Sequence, residues 1–370
     1  MKCVDVLYMK YLSEDKKVTI GGVQTYIADL CDVISEMGMC TRIVQFANED
    51  FICHLSDTVT VCGCKVSGKS DAARYQSLYD KAMQTKSDET VLTIFATDTM
   101  IPKRIAGRSM AIQHGIFWDI PRSSKRPPLR RALSKAMLSY KIVSRLEKPD
   151  TVVCVDYNFP NWYRTQVDRA TAHTVVIPNY TRIAPPFNKP DGMVNIIFAR
   201  RLFSYRGTRV FTEAITRLLV EKYNIRVTVA GTGEDADWMH ERLDRFDNVE
   251  FITYESRESM DIHRDKHIAV VPTVGSEGTS LSLLEAMSAQ CAVICTDVGG
   301  MTNIVIDGFN GIMVEAGNVE ALYTAMKTAV RDKELRERLA AVGYETVKTG
   351  FDNEKWKSAW KRVIGSELGS

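Results

Sequence analysis

Apolar positions along this chain follow two alternating rhythms. Short β-rich runs read as strands: "CVDVLY" (Cys3 to Tyr8), "TRIVQF", "TVTVC", "TVLTIFA", "AIQHG", "TVVCVD" and "TVVIP". Most are separated by loops or by stretches with helical spacing. After a loop ending in Gly21-Gly22, for example, Val23, Tyr26, Ile27, Leu30 and Ile34 recur at steps of three and four and mark one helix face. This is the rhythm of a parallel sheet with helices on both faces. It breaks at Pro178 to Gly192, "PNYTRIAPPFNKPDG", where four prolines in a polar span can continue neither a helix nor a central strand. The rhythm then restarts. "VNIIFA", "RVTVAG", "VEFIT", "IAVVPT" and "AVICTDV" are strands, "TRVFTEAITRLLVEKY" and "EDADWMHERLDRF" are helices, and the tail holds helices at Val319 to Arg331, Lys333 to Val347 and Asn353 to Ile364. The pattern predicts two similar α/β units joined by a proline-rich linker, with a ligand cleft expected between them.

Composition narrows the classes. The 370 residues, 45% hydrophobic and 25% charged, fit a packed two-domain protein. A formal net charge of +2 demands no nucleic acid, and none is expected as a partner. The 9 cysteines are odd in number and scattered, with no pair of CxxC knuckles, so they read as reduced core thiols of a cytosolic protein rather than zinc ligands. The N-terminus lacks the apolar core of a signal peptide, and no uncharged apolar run reaches the ~18 residues of a transmembrane helix. Any membrane contact is therefore expected to be peripheral.

One segment favours such a contact. From Arg122 to Lys148 the basic residues are Arg122, Lys125, Arg126, Arg130, Arg131, Lys135, Lys141, Arg145 and Lys148, and the sole acid is Glu147. After Pro128 the spacing is helical, with Leu129, Leu133, Ala136, Met137 and Tyr140 on one side and most of the charge elsewhere. An apolar face beside a basic one suits an anionic membrane surface, here the inner face of the cytoplasmic membrane. It equally suits a core-facing helix with a solvated basic side.

The stretch with most chemistry is "SEGTSLSLLEAMSAQ", Ser276 to Gln290. Glu277 and Glu285 are separated by seven residues, and Gly278, Thr279, Ser280, Leu281 and Ser282 lie between them. A strand precedes, and Ser280 is a good N-cap for the following helix. The first amides of that helix lack intrahelical partners, and with the helix dipole they suit a diphosphate. Carboxylates on either side can accept hydrogen bonds from the vicinal hydroxyls of two sugars, as a nucleotide sugar offers.

"EGTSLSLLEAM" resembles the E-x7-E signature of family 4 glycosyltransferases, the retaining group 1 enzymes of the two-domain GT-B architecture. "GGVQTY", "VIPNY", "ARRLFSYRG", "AGTGED" and "DVGGMTNIVIDGFNGIMVEAGN" are similar to further motifs of that family, in the same order. The resemblance implies an N-terminal acceptor-binding domain over 1–180, a C-terminal donor-binding domain over 181–350, and a final helix over 351–370 packing back toward the first. It implies a UDP- or GDP-sugar donor and a saccharide or polyprenyl-linked saccharide acceptor, in bacterial surface polysaccharide synthesis. Glu277 would hold the donor sugar, Glu285 the ribose, and Arg201 and Arg206 the diphosphate. His114 would approach the donor sugar from the first domain. Gly21 and Gly22 would admit phosphate or acceptor, Asn179 would stand in the interdomain segment, and Gly231, Gly233 and Tyr254 would lie beside the nucleoside. The resemblance also implies front-face attack, with the leaving phosphate as base, which leaves little for a protein nucleophile to do. Three departures stand out: Arg200 occupies the family's usual glycine, Arg206 its usual lysine, and Tyr180 replaces the glycine of the interdomain motif.

No D-x-D motif ends a strand in a metal-binding context; "DAD" (Asp235 to Asp237) opens a predicted helix, where acids favour the dipole. No cofactor and no divalent metal are expected. Two other readings stay open: a non-catalytic sugar-binding or scaffold protein of the same fold, and an NAD-dependent oxidoreductase resting on the loose Gly231-x-Gly233-x-x-Ala236 fingerprint.

Overall fold

The computed structural model describes residues 1–19, 21–116, 118, 127–167, 173–186, 188–255, 258–275 and 277–369. By contacts the chain divides into two compact units. One comprises Met1–His114, Ser124–Ile177 and Lys357–Ser370, the other Gly115–Ser123 and Pro178–Trp356.

The first unit runs β1 (Cys3–Tyr8), α1 (Gly22–Glu36), β2 (Cys40–Phe46), β3 (Phe51–His54), β4 (Val59–Cys64), α2 (Asp71–Gln84), β5 (Thr90–Phe95), β6 (Ser109–Gln113), α3 (Pro128–Leu146), β7 (Thr151–Cys154), α4 (Asn158–Tyr163) and β8 (His173–Val176). Its sheet has the order β3-β4-β2-β1-β5-β6-β7-β8. All its described pairings are parallel except the edge hairpin of β3 and β4, in which Phe51 faces Gly63. The face of α1 predicted from spacing is the buried one: Tyr26, Ile27, Leu30 and Ile34 are buried, joined by Cys31 and Val33.

The second unit runs β9 (Val194–Ala199), α5 (Thr208–Val220), β10 (Ile225–Ala230), α6 (Ala236–Leu243), β11 (Val249–Ile252), α7 (Ser259–His263), β12 (Ile268–Val271), α8 (Leu281–Ser288), β13 (Ala292–Thr296), β14 (Ile312–Val314), α9 (Val319–Arg331) and α10 (Lys333–Gly350). Its parallel sheet has the order β11-β10-β9-β12-β13-β14. Both faces are covered, as the continuous apolar strands require. From β9, Ile196 and Phe198 enter one core with Phe211, Leu218 and Met326, while Ile197 and Ala199 enter the other with Leu283, Leu284 and Met287.

The last helix, α11 (Asn353–Leu368), begins in the second unit and continues into the first. Within the first unit Trp360 is fully buried, and its indole N–H donates to the Tyr26 hydroxyl at 2.9 Å. Lys357 and Lys361 each reach Glu36 at 2.7 Å.

All nine cysteines are free thiols, six of them buried. Among the described residues no helix is long and apolar enough to cross a membrane.

Candidate active site

The order of the second sheet reverses direction between β9 and β12, and open parallel sheets bind ligands at the carboxyl ends of strands flanking such a switch. Arg200 directly follows β9, and Thr273 lies two residues beyond β12. The loop from Pro272 to Ser280 then carries Glu277 back across that edge.

Three donors converge on one oxygen of Glu277. Arg200 Nη2 donates to Oε2 at 2.6 Å, the Thr273 hydroxyl donates to it at 3.0 Å, and Arg206 Nη1 donates to it as well. Arg200 Nη1 also donates to Thr273 Oγ1. Among the described residues no hydrogen bond reaches Oε1. Burial acts to raise the Glu277 carboxyl, but Arg200 and Arg206, with the hydrogen bonds from Arg200 and Thr273, hold it down at about 2. Glu277 is thus an anion throughout the working range.

Glu285, one helix turn into α8, is the opposite case. Burial pushes its carboxyl up to about 7, and a hydrogen bond with Ser259 opposes this only in part. Tyr254 feels both sides of the site: burial and then the Glu285 charge push its hydroxyl up to about 12, and Arg200 acts against them. Ser280 occupies the N-cap of α8, but its hydroxyl makes no capping bond and is buried without a partner among the described residues. Ser280 is thus the N-cap by position, as expected, but adds no side-chain bond, so the leading amides at Leu281 and Ser282 stay uncapped by it. Gly278 and Thr279 complete the loop. Asn179 ties this loop to the linker, donating from Nδ2 to the Thr279 carbonyl at 2.8 Å. Gly299, at φ +57, lets the next loop close on Glu277: a Cβ there would fall 2.0 Å from the Glu277 carbonyl oxygen.

Arg201 does not join this cluster. It is exposed and donates to the Tyr205 hydroxyl at 3.2 Å, with its guanidinium 5.7 Å from the Phe203 ring. Gly231 and Gly233 turn toward protein. Cβ atoms on them would fall 2.0 Å from the Arg200 carbonyl and 2.3 Å from that of Leu202. The space these glycines spare is filled by backbone, which removes the close phosphate approach that a dinucleotide fingerprint needs. A dinucleotide site also needs an acid at the end of the next strand, whereas Glu250 lies early in β11 and accepts from Thr228. Asp235 of "DAD" is bonded by Thr208 and lies 3.5 Å from Arg209. Among the described residues no three His, Cys, Asp or Glu side chains gather as metal ligands would.

The first unit holds Gly21, Gly22 and His114. Gly21 precedes α1 as its N-cap in extended conformation, with no side-chain cap. His114 follows β6. Its Nε2–H donates to the Ala96 carbonyl at 2.9 Å, a partner that can only accept, so Nδ1 is the unprotonated nitrogen. Its ring meets Tyr26 edge-on at 5.1 Å, and burial lowers its pKa to about 4, leaving it neutral. At the carboxyl ends of β1 and β2 a cavity of about 750 Å3 is lined by Gln45, Phe46, Asp71, Arg74 and Tyr75, among others.

The pairing of Arg200 and Thr273 with Glu277 was not readable from sequence; the signal was Arg200 itself, an arginine at a position where glycine was expected.

Comparison with known proteins gives the likenesses of the chain as a whole. Residues 179–346 match the family model described as glycosyl transferases group 1. A phosphatidyl-myo-inositol mannosyltransferase of Mycobacterium leprae is 20% identical over 344 residues, covering 89% of this chain and 88% of that one. Seven further relatives align over 42% to 61% of this chain; a capsular polysaccharide biosynthesis glycosyltransferase of Staphylococcus aureus is 24% identical over 42% of both. Among solved structures, sucrose-phosphate synthase from Thermosynechococcus elongatus superposes with a TM-score of 0.78 at 15% identity, covering 100% of both chains. The Anabaena protein HepE in complex with UDP-glucose gives 0.75 at 14% identity, covering 99% of this chain and 100% of that one. These likenesses show the GT-B fold, and the resemblance read from the motifs is to the group that the family model describes.

Proposed function

Taking this group 1 glycosyltransferase relationship as premise, we propose that the chain moves a hexose-type sugar from a UDP- or GDP-sugar to a saccharide or lipid-linked saccharide, with retention at the anomeric carbon. The observation that carries the reading is Glu277. Its Oε2 is saturated by three donors, and its Oε1 is left to accept hydrogen bonds from donor sugar hydroxyls. Glu285, whose carboxyl burial raises to about 7, holds the ribose. The α8 amides at Leu281 and Ser282, with Gly278 and Thr279, cradle the diphosphate. Arg201 and Arg206 neutralise it as the bond from the anomeric carbon to phosphate oxygen breaks. The acceptor oxygen bonds the same carbon on the face the phosphate leaves, and its proton passes to a phosphate oxygen. Those cations and amides serve where a divalent metal otherwise would. His114 accepts a substrate hydroxyl at Nδ1.

In the first unit the cavity beside Phe46 and Tyr75 suits an acceptor sugar, with apolar ring faces and Asp71 as a hydroxyl acceptor. The acceptor is proposed to be membrane-borne, with α3 docking on an anionic surface at the inner face of the cytoplasmic membrane. Surface polysaccharide assembly, the setting of the named capsular relative, is the proposed context.

The deciding experiment offers the protein a panel of UDP- and GDP-sugars with candidate acceptors. Release of one nucleoside diphosphate is expected, slowed on the order of a hundredfold in Glu277→Ala with diphosphate binding retained. Failure of every nucleotide sugar to release diphosphate with any acceptor would remove the reading.

A further inference from the structure

Two arginines hold one carboxylate oxygen, and they are not equivalent. The Arg200 side chain is 4% exposed and that of Arg206 17%. Arg200 is anchored beyond Glu277. Its backbone N–H donates to the Ala230 carbonyl at 2.9 Å, and its Nη1 is engaged by Thr273, itself fully buried. Gly231 packs so closely on the Arg200 carbonyl that any Cβ would collide with it. Arg206 is held by local contacts instead, its backbone N–H donating to the Phe203 carbonyl at 2.8 Å. It ends a single turn, Ser204–Arg206, before a left-handed glycine, with its guanidinium 5.0 Å from the Tyr205 ring. Arg200 is thus the more deeply buried partner and Arg206 the one nearer solvent.

The charges make the difference matter. Two guanidiniums face one carboxylate. A donor brings a diphosphate, which competes with Glu277 for Arg206. If Arg206 were the sole partner, its departure would leave a buried carboxylate unpaired beside new negative charge, and that carboxylate would take up a proton. A protonated Glu277 no longer presents an anion to the sugar.

We propose that Arg200 is a positioning residue: it keeps Glu277 ionised, with Oε1 turned outward, when the donor diphosphate draws Arg206 away. The inference deepens the proposed donor site and rests on that reading. It concerns a residue that the resembling family does not supply, since glycine is usual at this place. The other groups around Glu277 do not duplicate the function. Tyr205 faces Arg206, the Thr273 hydroxyl carries no charge, and neither Tyr254 nor Glu285 supplies a cation.

The test follows turnover against pH at saturating donor for wild type, Arg200→Met, Arg200→Lys, Arg206→Met and Thr273→Val, with UDP and GDP binding measured in parallel. Arg200→Met is expected to bind the nucleoside diphosphate within about threefold of wild type, to lose about tenfold or more in kcat at pH 7, and to move the acid limb of kcat about one pH unit or more alkaline. Arg200→Lys, which keeps the charge, returns the limb toward wild type. Arg206→Met loses diphosphate binding instead. Thr273→Val shifts the limb in the same direction by less, and carries the test should the methionine variant not fold. An unshifted limb in both Arg200→Met and Thr273→Val, or in Thr273→Val alone where the methionine variant is unfolded, overturns the inference. So does a loss of diphosphate binding in Arg200→Met equal to that in Arg206→Met. A wild-type protein that releases no nucleoside diphosphate at all fails earlier, at the proposed function, and the two failures are distinct.

Discussion

Glu277 and Glu285 have the same side chain, and seven residues separate them, yet their surroundings drive them apart. Burial acts on both carboxyls. Two guanidiniums overcome it at Glu277, which is held down at about 2, while Glu285 has only Ser259 against it and rises to about 7. The consequences for stability have opposite signs. The Glu277 contribution is present above the unfolded carboxylate range and is lost only as pH falls toward 2, so it is constant between pH 5 and 8. The Glu285 contribution is complete at low pH and is lost as pH rises from the ordinary 4.5 through about 7. The loss is ~1.4 kcal/mol for each pH unit separating the folded and unfolded pKa values. Glu285→Gln, neutral and isosteric, should therefore gain stability relative to wild type as pH rises from 5 to 8. Denaturant unfolding across that range checks it, and a difference that does not change with pH refutes it. The comparison with wild type cancels Asp98, His114 and His263, whose perturbed pKa values also bear on this range.

At the scale of the element, α3 carries an unusual surface. Its apolar stripe does not face the core. Leu129, Leu133, Met137 and Tyr140 are exposed by 72%, 57%, 62% and 74%, while the buried side chains are Ile142 and Leu146. The helix contains Arg130, Arg131, Lys135, Lys141 and Arg145 and no acid. Residues 122–126 of the basic segment lie outside the described residues. Exposed apolar area flanked by unopposed cations is complementary to an anionic lipid surface, each cation adding ~1 kcal/mol. Co-sedimentation with anionic liposomes is expected at low salt, reduced at high salt and on neutral lipid. Reversing Arg130, Arg131 and Lys135 to Glu together should abolish most of it. Binding by that triple variant equal to wild type would reject α3 as the docking element. The apolar arm is tested by Leu133→Ser with Met137→Ser, which should weaken binding while leaving its salt dependence.

For the whole molecule, the prediction concerns ligands. A nucleoside diphosphate that binds only the folded state stabilises it by mass action, by about 2.7 kcal/mol at a hundredfold excess over Kd. One of UDP and GDP should therefore raise the melting temperature at lower concentration than the other, and that selectivity identifies the base. Because arginines and helix amides are proposed to meet the diphosphate charge, turnover should persist in excess EDTA. Loss of activity in EDTA, restored by magnesium or manganese, would reject the metal-free mechanism.

What the sequence determined by itself was whatever local periodicity encodes. The strand and helix rhythm, the break at Pro178 to Gly192 and the inward face of α1 were all legible, because alternation and 3.6-residue spacing are properties of short segments. The spacing of Glu277 and Glu285 was legible for the same reason. Shorter elements escaped: "FICH" of β3 and "NFPNWY" of α4 span too few residues to show a period, and β3 exists because β4 pairs with it. Tertiary structure decided the rest. Arg200 and Glu277 are 77 positions apart and meet only because β9 and β12 are neighbours at the point where the sheet order reverses. The opposite titration of the two glutamates follows from that meeting, since a pKa depends on what packs around a group rather than on its neighbours in the chain. Likewise the apolar stripe of α3 could be read from spacing, but whether it faces core or solvent is settled by what folds against it.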